Sequence, residues 1–109
     1  MTVLNVKARP YDFSYNPSNT ALILIDFQRD FLLPGGFGGA LGNDVSLLRT
    51  AIEPTRSVLQ EFRNRGMLVV HTREGHEPDL SDCPESKRTR GNLERRIGDQ
   101  GPMGRILVR

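Results

Sequence analysis

Two short apolar runs dominate the pattern along the chain. Ala21-Leu-Ile-Leu-Ile25, closed by Asp26, is five consecutive apolar residues between a polar arm and an acid. Met67-Leu-Val-Val70, closed by His71 and Thr72, is the second. Uninterrupted apolar runs of this length predict strands buried on both faces, as in a parallel sheet. Between them, Val45, Leu48, Ala51 and Ile52, and then Val58, Leu59 and Phe62, recur at helical spacing. Asn43 or Asp44 can cap the first helix, Pro54 fits the first turn of a second, and Gly66 stands where a left-handed C-terminal residue belongs. Residues 20–72 therefore read as a βαβ unit with a right-handed crossover and adjacent parallel strands.

Outside that unit the pattern weakens. Residues 1–19 hold Pro10 and Pro17 with no sustained period, and read as an irregular arm whose alternating Tyr11, Phe13 and Tyr15 lie against the body. Phe27 to Gly42 carries five glycines, including a Pro-Gly-Gly at 34–36, and must bend sharply or lie close to something. Residues 73–104 show no apolar periodicity; a loop of that length is functional or mobile. Arg105-Ile-Leu-Val-Arg109 reads as the start of a further strand. Two parallel strands and one crossover cannot cover both faces of a sheet. The chain is expected to be one piece, 1–109, of a single domain, unstable alone, with the missing core supplied by a continuation or another chain.

Composition sharpens this picture. With 109 residues there is room for one domain, and 37% hydrophobic residues is lean for a complete core. Eleven Gly and seven Pro favour loops. The net charge of +2 arises beyond residue 56, in Lys87, Arg88, Arg90, Arg95 and Arg96, interleaved with Glu85, Glu94 and Asp99. No aromatic residue lies between 63 and 109, so the stacking partners of a nucleic-acid surface are missing and a solvated, salt-bridged segment is expected instead. One cysteine, Cys83, excludes an intrachain disulfide and suits a reducing compartment. With neither a signal-peptide core nor a run long enough to span a bilayer, the reading is cytoplasmic, without membrane association.

Candidate chemistry falls at the carboxyl ends of the two strands, where open α/β sheets place their sites. Asp26 ends the first; His71, Thr72 and Arg73 end the second. A carboxylate there is either a helix cap or arginine partner, or a general acid/base. Cys83 has His71, His76, Asp79 and Asp82 nearby in sequence, but no helix N-terminus to activate the thiol, and is read as a surface residue away from the chemistry. His71 and His76, five apart, share no helical face, and no metal site is expected.

The segments Leu24-Ile-Asp-Phe-Gln-Arg-Asp-Phe-Leu32 and His71-Thr-Arg-Glu-Gly-His-Glu-Pro-Asp-Leu-Ser-Asp-Cys-Pro84, with Ser86-Lys-Arg88 and Gly104-Arg-Ile-Leu-Val-Arg109, resemble the isochorismatase-like cysteine hydrolases. The second segment is similar to the branch containing biuret, triuret and ureidoacrylate amidohydrolases. The resemblance spans about residues 20–109 and implies an α/β fold with a doubly wound parallel sheet. It gives Asp26 the acid of an Asp–Lys–Cys triad, places Phe31 in the substrate pocket, and sets Arg73, Glu74 and His76 along its border. It implies hydrolysis of a C–N bond in a small urea-like or carbamoyl compound through a cysteine thioester, without cofactor or metal. The nucleophilic cysteine and the lysine would come from outside these residues, in a homo-oligomer, so this segment alone would be inactive. The rival reading is a non-catalytic binding or regulatory module that keeps the sheet.

Overall fold

The computed structural model describes residues 3–90 and 95–109. Its centre is the expected parallel pair: β3 (Ala21–Leu24) runs beside β4 (Leu68–His71) in the register Ala21↔Leu68 to Leu24↔His71. Two helices make the crossover, α3 (Val45–Arg49) and α4 (Ile52–Asn64). Asp44 caps α3, accepting from the Ser46 N–H at 3.0 Å and the Ser46 hydroxyl at 2.6 Å, and these bonds hold its carboxyl below the usual range. Pro54 sits in the first turn of α4, where its missing N–H costs nothing. The helix ends in a Schellman motif: the Met67 N–H donates to Phe62 O, the Gly66 N–H donates to Arg63 O, and Gly66 takes φ +65°. Ile52, Thr55, Leu59 and Phe62 form the half-buried face of α4.

The strands are not buried on both faces. Leu24 and Met67 are buried, whereas Ile25 is 67% and Leu68 64% exposed, and Ile23 and Val70 also face outward. The continuous apolar run described a sheet with two covers; within this chain, one apolar face of the pair stays open. The dimensions agree: the radius of gyration is 17.8 Å, against about 13 Å for a compact chain of this length.

The arm also differs from the irregular segment expected. β1 (Leu4–Val6) and β2 (Phe13–Tyr15) pair as an antiparallel hairpin. Phe13 stacks on Tyr15 with centroids 6.3 Å apart, but Tyr11 and Phe13 are exposed rather than laid on the body. The Gly-rich loop meets the expectation of close approach. It forms α1 (Arg29–Leu32) and α2 (Phe37–Ala40), and a Cβ on Gly36 would stand 2.5 Å from Asp30 O, so only glycine lets the loop lie on the α1 backbone.

The largest departure lies beyond residue 73. That segment carries α5 (Glu85–Arg88) and the two-residue strands β5 (Gln100–Gly101) and β6 (Gly104–Arg105). It also holds the most buried of the described residues. Cys83, Ile97, Ile106 and Leu107 form one cluster, packed by Phe31, Phe37 and Leu80, with Ile106 and Leu107 each 1% exposed. Rather than opening a third long strand, residues 106–108 turn, Leu107 taking φ +51°, and one parallel bridge joins Val108 to His76. Leu80, Cys83 and Ile97 stand singly along the sequence and Ile106-Leu107 as one adjacent pair, so the set shows no period although it converges in space. Among the described residues no helix is long and apolar enough to cross a membrane.

Cys83, expected at the surface, is thus 5% exposed in the core. Among the described residues its Sγ has one polar contact, to Pro84 O at 3.9 Å. Cys83→Ser puts a hydroxyl into apolar surroundings and is expected to lower stability by about 1–3 kcal/mol. Urea unfolding of the full-length protein measures this; an unmoved midpoint would mean the thiol is solvated.

Candidate functional site

The backbone ladder of the parallel pair ends where the Thr72 N–H donates to Leu24 O at 3.0 Å. Two residues later Asp26 turns into the left-handed region, φ +57°. This conformation costs most residues of order 1 kcal/mol or more, and Asp and Asn tolerate it best. The turn takes the Asp26 N–H away from the ladder. Thr72 satisfies it: the Asp26 N–H donates to Thr72 Oγ1 at 3.0 Å, and the Thr72 hydroxyl donates to Asp26 Oδ1 at 2.7 Å. One hydroxyl therefore fixes both the backbone and the carboxylate of Asp26.

Two residues further on, side chains again replace the ladder. The Glu74 N–H donates to Gln28 Oε1 at 2.8 Å, and Gln28 Nε2 donates to Glu74 O at 2.9 Å. The amide presents an acceptor and a donor to one residue's backbone, as a neighbouring strand would. Asp26 and the segment after β4 are thus joined at two points. The sequence reading named neither Thr72 nor Gln28 as a site residue. The signal available is that each binds a partner 46 residues away, in step with the two strands.

The five residues singled out from the sequence divide into three groups. Asp26 and Phe31 line one cleft together with Ile25, Phe27, Leu41 and Leu48. Phe31 reaches it from α1, held edge-on against Phe37 with centroids 6.4 Å apart. Arg73 borders the adjoining cleft with Phe27, Gln28, Arg29 and Asp30. Glu74 and His76 are committed elsewhere. Lys87 Nζ donates to Glu74 Oε1 and lies 3.1 Å from His76 Nε2. Lysine can only donate, so Nε2 is the acceptor and Nδ1 carries the hydrogen directed at Asp82 Oδ1, 3.3 Å away. The Glu77 N–H, donating to Asp82, holds that carboxyl below the usual range, and His76 adds to the effect. With His76 only 6% exposed, this chain of bonds ties the segment to itself rather than to the cleft.

No group of three or more His, Cys, Asp or Glu among the described residues is arranged to hold a metal ion. The cleft offers a positioned carboxylate, an aromatic wall and apolar surroundings, which suits proton transfer to or from a small polar molecule.

The isochorismatase domain model matches residues 20–107, from the start of β3 to the buried Leu107. The ureidoacrylate amidohydrolase RutB of Cronobacter turicensis is 32% identical over 83 residues, covering 76% of this chain and 36% of that protein, so the chain spans about a third of the relative's length. The domain model matches well over half of the chain, and the chain belongs to the isochorismatase family.

Proposed function

We propose that this chain supplies the acid/base half of an amide-hydrolysing site, with Asp26 as the catalytic carboxylate. The observation that carries the reading is the Asp26–Thr72 pair: a carboxylate held in a left-handed turn at the carboxyl end of a parallel strand, facing a cleft. The name of the curated relative supports an amide as the bond broken. In the reaction, a cysteine thiol from the remainder of the domain gives its proton to Asp26, and the thiolate attacks the carbonyl carbon. The proton then passes from Asp26 to the departing amine as the C–N bond breaks, leaving a thioester that water hydrolyses. A lysine, also from the remainder, faces the carboxylate. Biuret, triuret and ureidoacrylate represent the substrate class, with Phe31 as a wall of their pocket and Arg73 at its border.

Cys83 does not serve as the nucleophile in this reading, because it is enclosed among Ile97, Ile106 and Leu107. The open apolar face of Ile23, Ile25, Leu68 and Val70 supports a sheet completed by the rest of the domain, which would make it doubly wound.

Asp26→Asn keeps the shape and tolerates the left-handed turn but cannot accept a proton. In the full-length enzyme, turnover should fall roughly 10²–10⁴-fold, the usual worth of a placed acid/base, with the melting temperature retained. Near-full activity would make Asp26 structural. Thr72 is a positioning residue, and its substitution separates placement from folding. Thr72→Val should lower kcat roughly 10–100-fold, the scale of one hydrogen bond to a charged group, with little change in KM, while Thr72→Ser restores most of it. Equal rates in all three proteins would remove Thr72 from the mechanism.

A further inference from the structure

A cluster of titratable groups surrounds the buried ring of His76, and none of its members lines the Asp26 cleft. On one side, Lys87 Nζ lies 3.1 Å from His76 Nε2 and donates to Glu74 Oε1, which itself stands 3.8 Å from Nε2. On the other, Asp82 Oδ1 faces Nδ1 at 3.3 Å. Behind Asp82 stand Arg109, 3.5 Å from its Oδ2, and Glu77, which pairs with Arg109 at 3.3 Å and whose N–H donates to Asp82. The side chains of Lys87 and Glu74 are 32% and 27% exposed, so water screens their contact with the ring only in part.

This geometry fixes the charge of the ring. An ammonium has three donors and no acceptor, so Nε2 meets Lys87 with its lone pair and His76 is neutral. The cluster has room for one more positive charge. Glu74, Glu77 and Asp82 outnumber Lys87 and Arg109 by one, and a proton on His76 balances them. That proton goes to Nε2, because Nδ1 already holds the hydrogen directed at Asp82. There it sets two donors and two positive charges face to face across 3.1 Å, a contact that repulsion breaks. Glu74 Oε1, 3.8 Å away, is the acceptor in reach of the new N–H.

We propose that His76 is a proton-operated latch on α5: protonation at Nε2 hands Glu74 from Lys87 to the imidazolium and frees Lys87. A solvent proton adds to Nε2, and the ammonium leaves with its three hydrogens. Lys87 lies on α5 and joins it to Glu74 and His76 in the segment after β4. Its release loosens α5, while His76 keeps its backbone bonds to Leu107 O and from the Arg109 N–H. Acidification opens the latch and a return to neutral pH closes it.

Side-chain NMR of the full-length protein, labelled in histidine and lysine, tests this from about pH 8 to about pH 5, the interval in which histidine changes its charge. At the upper end His76 should show the Nδ1–H tautomer. As it takes up its proton, the Lys87 side-chain signal should move towards that of a free lysine with the same midpoint. Amide exchange over residues 85–89 should then accelerate about tenfold or more beyond its intrinsic change with pH, the scale of one lost hydrogen bond to a charged group. Lys87→Met removes both the opposing charge and the bond to the neutral ring. In that variant the His76 midpoint should rise by about one pH unit, and exchange over residues 85–89 should no longer follow it. If the variant fails to fold, the wild-type titration decides alone. A ring that stays neutral to the lower limit, or is already charged at the upper one, overturns the latch. So does a ring that titrates while Lys87 stays in place, or a midpoint that Lys87→Met leaves unmoved. Amides of β3 and β4 that speed up together with those of α5 overturn it as well, because the opening is then global.

Discussion

The Thr72 hydroxyl stands at the point where two requirements meet. A parallel strand pair must end somewhere, and at its end the backbone loses the partners that kept its polar groups satisfied. Here β3 ends by turning Asp26 into a conformation that its own sheet cannot support. The hydroxyl of the neighbouring strand end accepts a hydrogen bond from the orphaned N–H and donates one to the carboxylate. The aim of the Asp26 carboxylate follows from that exchange. The register of β3 against β4 therefore decides what faces the Asp26 carboxylate, because a one-residue slip would bring His71 or Arg73 to the place of Thr72.

The segment after β4 is held by different physics. Its described residues form no long strand or helix, and they are held by a small apolar cluster surrounded by polar bonds that close locally. His76 anchors it twice, by backbone bonds to Leu107 O and from the Arg109 N–H, and by a ring fixed between Lys87 and Asp82. Buried polar groups rigidify a structure when all are satisfied. That condition holds here, and no buried side-chain nitrogen or oxygen among the described residues lacks a partner. The Gln28 clasp on Glu74 passes this rigidity to the loop that follows Asp26.

How much of this could be read from the sequence depended on whether the governing interaction was local. The parallel pair, the Asp44 cap, the Pro54 position and the left-handed Gly66 were legible because each writes its signature within a few consecutive residues. The cluster of Cys83, Ile97, Ile106 and Leu107 was not, since Cys83 and Ile97 each stand alone in the sequence and only turns bring them to the Ile106-Leu107 pair. Charge alternation over 85–99 looked like a solvated surface, yet Lys87 reaches inward to Glu74 and His76. At the site, Asp26 was visible as an acid closing an apolar run. Thr72 and Gln28 were hidden because their importance is a property of pairs, and nothing in a threonine or a glutamine alone announces the partner across the sheet.

The Gln28 clasp has a chemical corollary. An amide carries a donor and an acceptor on one planar end, and here both are spent on a single backbone unit. Glutamate, identical in outline, would set a lone pair against the carbonyl of Glu74 where a hydrogen now lies. Methionine would fill the space and satisfy neither group. Position 28 thus reads the pattern of hydrogens on a side chain rather than its size, a selectivity that volume or polarity scales do not register.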